Sequence, residues 1–144
     1  EYGLMFGYHN HKGDFAQVEG QTILDYVIAH TDADKFFIEL DVCKTNMGDA
    51  DYMHYLKTYG DRIKILHAKE DGVLGTGPID FEAVFNQFYA NGMKDYVVEI
   101  ETPQFLREKT NEDGTPYTQE QIVEETFLAA EKSAAYLNEA AFVK

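Results

Sequence analysis

Short apolar runs rich in β-formers alternate along the chain with longer segments whose apolar residues recur at helical spacing. Leu4–His9, Phe36–Val42, Arg62–Ala68 and Tyr96–Ile100 read as strands. Between them, Gln21–Thr31 carries Ile23, Leu24, Val27 and Ile28 on one helical face, and Asp49–Tyr59 carries Tyr52, Met53, Leu56 and Tyr59. Asp80 is placed to cap a helix bearing Phe81, Val84, Phe85 and Phe88, and Gly92 is its stop signal. Asn111–Gly114 with Pro116 marks a loop, and the longest helix is expected from Thr118 to about Asn138.

Four strand-then-helix units in succession predict an α/β fold with parallel strands and right-handed crossovers. An open doubly wound sheet or part of a (β/α)8 barrel satisfies the pattern. A whole barrel needs about 250 residues, and this chain of 144 supplies half. The chain enters a strand almost at its first residue, so we expect a single domain, 1–144, truncated at its N-terminus.

The chemistry sits at the strand ends. His9, Asp41, His67 and Glu99 close the four runs, each about one βα unit from the next. In parallel α/β folds the carboxyl ends of the strands line the site. Four such donors predict a shared metal centre. Two imidazoles and two carboxylates suit Mn²⁺, Zn²⁺ or Co²⁺, with Mg²⁺ the poorer match. Strand residues two apart share a face. His11 therefore accompanies His9, Lys69 accompanies His67, and Glu101 accompanies Glu99, while Glu39 lies one layer below Asp41. Glu99, Glu101, Lys69 and His11 are the candidate catalytic or substrate-holding groups. Each residue alone has a plainer reading: a hydrogen-bonded histidine, a helix-capping aspartate, or a charged turn at Lys69–Asp71. Recurrence in four equivalent places favours the metal.

Composition narrows the partners. The formal net charge is −14, and lysines and arginines form no run, which argues against nucleic acid or anionic lipid as a partner. Cys43 is the only cysteine and reads as a small buried or loop residue; Lys44 beside it is ambiguous. No apolar stretch approaches the roughly 20 residues of a membrane span. The Gly75–Pro78 stretch lacks the sequel of a phosphate-binding loop. Nothing indicates a compartment, and cytoplasm is the default.

The segments "GYHNH" (7–11), "FFIELDV" (36–42), "YLKTYGDRIKILHAKE" (55–70), "GTGPIDFEAVF" (75–85) and "YVVEIE" (96–101) together resemble the sugar phosphate isomerase/epimerase superfamily, the xylose isomerase-like barrels. The resemblance spans roughly residues 3 to 101. It implies strands five to eight of a TIM (β/α)8 barrel, with His9, Asp41, His67 and Glu99 at the ligand positions. It also implies a divalent-metal-dependent sugar isomerase or epimerase that removes a proton α to a carbonyl through a metal-held enediolate. His9 departs from the glutamate that many members carry there, which argues against symmetric two-base epimerisation. The His-Asn-His branch also includes relatives acting on keto-sugars and inosose by dehydration or elimination. The alternatives are therefore a lyase or dehydratase on a keto-sugar or inosose-like substrate, or an inactive half-barrel. A metal-dependent nuclease of the same fold is disfavoured by the charge. The expected partners are a small carbohydrate and either the missing N-terminal half-barrel or a second copy of the chain.

Overall fold

The computed structural model describes residues 3–101 and 106–144. Four parallel strands form one sheet in the order β1 (Phe6–His9), β4 (Phe36–Asp41), β5 (Ile63–Glu70), β6 (Asp95–Ile100). Sequential strands are neighbours throughout, as in half of a TIM barrel. A two-stranded antiparallel ribbon, β2 (Gln17–Val18) and β3 (Gln21–Thr22), follows β1.

The described residues also form a 3-10 turn (Lys12–Phe15) and helices α1 (Ile23–Ala29), α2 (Val42–Met47), α3 (Tyr52–Thr58), α4 (Phe81–Ala90) and α5 (Gln119–Glu139). Their starts follow from side chains that satisfy otherwise unpaired first-turn amides. Thr22 Oγ1 accepts from Asp25 N, Asp80 Oδ1 from Ala83 N and Thr118 Oγ1 from Gln121 N, each at 3.0 to 3.2 Å.

Of the boundaries that differ from the sequence reading, two have a clear local cause. The second strand stops at Asp41 rather than Val42, because the Asp41 carboxylate accepts the Lys44 amide at 2.7 Å and starts α2. The helix expected from Asp49 begins at Tyr52: Asp49 has φ +56°, outside the helical range, and Asp51 is the cap.

The core lies between the sheet and its helices. Ile38, Leu40, Leu66 and Ala68 point outward from the strands and are fully buried against Leu24, Leu56, Val84, Phe85 and Phe88. Period-2 alternation sends Glu39, Asp41, His67 and Lys69 to the opposite, inner face.

Register then decides which inner residues meet. His9 is level with Glu39, Asp41 with His67, and Lys69 with Glu99. Ile38 pairs with Ile63 but Glu39 with Ile65, so Lys64 is an extra residue on β5. Without that bulge Asp41 would be level with Leu66, whose side chain faces the core.

Candidate metal centre

At the carboxyl end of the sheet, His9, Asp41 and His67 each offer a ligand atom, and the three atoms lie within 4.8 Å of one another. His9 Nε2 is 3.6 Å from Asp41 Oδ2, and the two Nδ1 atoms are 2.9 Å apart. Glu39 closes this group from below: its Oε1 is 3.1 Å from His9 Nδ1 and 3.0 Å from His67 Nδ1.

Glu99 stands at the rim. Its Oε2 is 3.0 Å from His67 Nε2 and 3.1 Å from Lys69 Nζ, and it lies outside the three-residue group. Lys69 also pairs with Glu101, which Lys44 Nζ reaches at 3.0 Å from α2. His11 is exposed, with its ring centroid 4.9 Å from that of His9 and its backbone amide donating to Asp14 Oδ2 at 2.7 Å.

Asp41 is held from several sides. Its amide donates to Asn10 Oδ1 at 2.9 Å. Its carbonyl accepts from Asn10 Nδ2 at 3.2 Å and from Thr45 Oγ1 at 2.7 Å. Oδ1 caps α2, which leaves Oδ2 buried with no hydrogen-bond partner among the described residues. His67 Nε2 is also buried without one, since the nearby Glu99 oxygen lies at hydrogen-bond distance but off line. Orphaned buried polar atoms are costly.

Two such atoms on residues whose ligand atoms lie within 4.8 Å of one another fit a cation, and the charges agree. Glu39, Asp41, Glu99 and Glu101 bring four carboxylates against the two ammoniums of Lys44 and Lys69. With neutral imidazoles, two negative charges remain for one divalent ion. Burial lowers the His67 pKa, opposed by Asp41, so the ring favours the uncharged form that can act as a ligand. The Lys69 hydrogen bond, assisted by Lys44, holds the Glu101 carboxyl below its ordinary range.

Glu39, Asn10 and Lys44 were not among the expected site residues. Glu39 does lie one layer below Asp41, but its reach to both imidazoles is not legible, because strand register is not written in one strand's own sequence. Asn10 sits between the two histidines and faces the other way. Lys44 belongs to a helix that the apolar pattern did not reveal.

Residues 1–126 match the xylose isomerase-like TIM barrel family, and the chain belongs to it. The chain is 27% identical to the inosose dehydratases of Lactiplantibacillus plantarum and Bacillus licheniformis. These matches cover 68% and 67% of this chain and 40% of each relative. Two sugar phosphate isomerase/epimerase structures from Parabacteroides distasonis superpose with TM-scores of 0.76 and 0.79, at 37% and 32% identity. They match 96% and 99% of this chain and 47% of each solved chain, so the chain spans less than half the length of these relatives.

Proposed function

We propose that this half-barrel carries the metal and proton-transfer site of a sugar isomerase or epimerase-type enzyme. The observation that carries the proposal is that Asp41 Oδ2 and His67 Nε2, beside His9, are buried without a hydrogen-bond partner among the described residues. In it His9, Asp41 and His67 hold a divalent cation, and Glu99 is placed to join them as a fourth ligand. When bound, that ion would polarise a substrate carbonyl and the neighbouring hydroxyl.

The chain's own groups supply the rest. Removing a proton α to a carbonyl needs a positioned base. Glu99 and Glu101 are the candidates, and two ammoniums hold Glu101 in its weakly basic anionic form. Lys69 Nζ, between both carboxylates, is placed to donate to the oxygen that gains charge as the enediolate forms. His11, exposed beside His9, is placed to hold a substrate hydroxyl. The remaining substrate walls come from further strands, either the rest of a barrel or a second copy of this chain set against β1 and β6.

A second reading, a dehydratase or lyase acting on a keto-sugar or inosose-like substrate, is favoured by the two inosose dehydratase relatives. Both begin with the same proton abstraction and differ in what leaves. The full chain, purified without chelator, is assayed for bound metal. It is then offered Mn²⁺ with aldoses, ketoses, 3-keto-glycosides and an inosose. Aldose–ketose or epimer products support the first reading, and loss of water or an aglycone without them rejects it for the second. His9→Ala and His67→Ala each lose metal retention, whereas Asp71→Ala keeps it. A wild-type protein that retains and binds no divalent ion overturns both.

A further inference from the structure

We infer that Asn10 is a positioning residue whose side-chain amide extends the β1–β4 ladder beyond His9 and so sets which way the Asp41 carboxylate faces. The last residue pair of that ladder is His9 with Glu39. Two residues further along β4, Asp41 has no backbone partner on β1. Asn10 Oδ1 instead accepts its amide at 2.9 Å, and Asn10 Nδ2 donates to its carbonyl at 3.2 Å. A primary amide presents an acceptor and donors in one plane, as a peptide group does. Aspartate in that place would lack the donor, and glutamine would carry the amide a methylene too far.

Asn10 is completely buried, and its second Nδ2 contact, to Thr45 Oγ1 at 3.4 Å, ties the same amide to α2. Thr45 in turn donates to the Asp41 carbonyl. The Asp41 backbone is therefore pinned on both polar groups. On that fixed backbone the side chain meets the Lys44 amide with Oδ1 and turns Oδ2 toward His9. Loss of Asn10 would leave the Asp41 amide without an acceptor in a dry site and free the carboxylate to rotate.

The inference rests on the proposed cation site only for its affinity arm; its other arm needs no metal. Residue-resolved amide exchange on the cation-free full chain compares wild type with Asn10→Ala and the milder Asn10→Ser. Exchange is expected to quicken at Asp41 and also at Lys44, whose amide bonds the Asp41 carboxylate and not Asn10. Titration with Mn²⁺ alone is expected to show affinity falling about 10- to 100-fold in Asn10→Ala, with Asn10→Ser between. A folded variant whose Lys44 amide exchanges as in wild type overturns the inference, and so does Mn²⁺ affinity within twofold of wild type. If wild type binds no Mn²⁺, the cation reading falls, and the Lys44 amide alone decides the role of Asn10.

Discussion

Lys69 is almost fully buried, a position an unpaired ammonium would not tolerate. Burial alone would lower its pKa, but the Glu101 and Glu99 carboxylates outweigh that and raise it. Glu101 responds in the opposite sense, held low chiefly by Lys69. A carboxyl with a folded-state pKa below its unfolded value contributes stability that is present above about 4.5 and lost as pH falls through the lower, folded value. Stability should therefore decline from about pH 5 downward, with Glu101→Gln showing a shallower decline in urea midpoints over that interval. Equal slopes would mean that the cluster contributes nothing to acid sensitivity. Cys43, two residues from Asp41, behaves differently: burial pushes its thiol up to about 11, so it stays protonated and inert near neutral pH.

Among the elements, the turn after β5 depends on one buried carboxylate. Glu70 accepts the Gly75 amide at 2.7 Å and the Ile79 amide at 3.0 Å, folding residues 71–79 against the end of the sheet. A Cβ at Gly77 would collide with that carboxylate, so the sequence needs glycine there. Glu70→Ala leaves two amides unpaired and should cost about 3 kcal/mol of stability, at roughly 1–3 kcal/mol per orphaned group. Chemical denaturation would measure this, and a loss under about 1 kcal/mol would show that the turn holds without it. In the same turn sequence reading stops short: "GTGP" shows only that the sequel of a phosphate loop is lacking, and its tie to Glu70 is not legible. Long periodic elements were more legible, because α4 and α5 carry both an apolar stripe and a capping residue. The six-residue α2 carries no such stripe.

For the molecule as a whole, the proposed cation would offset the surplus of negative charge in the site and so couple ion binding to stability. None of the helices described is long and apolar enough to cross a membrane. A ligand that binds only the folded state stabilises it by RT ln(1 + [L]/Kd), about 2.7 kcal/mol at a hundredfold excess over Kd. Mn²⁺ or Zn²⁺ should therefore raise the Tm of metal-stripped protein by several degrees, and EDTA should reverse the shift. The His9→Ala protein should show no such rise. An equal rise in that variant would place the ion elsewhere.

The sequence by itself determined the main alternation of strands and helices, the parallel α/β class and the recurrence of donors at strand ends. Each of these is local: periodicity within an element, or its distance from the next. Tertiary structure decided which donors meet. The extra residue at Lys64 brings His67 level with Asp41, and the pairing of His9 with Glu39 lifts that glutamate into the cluster. Asn10 finds the Asp41 backbone 31 residues away. Register between strands is a property of pairs, set by how two faces and a bulge pack together, and a single run of residues does not carry it.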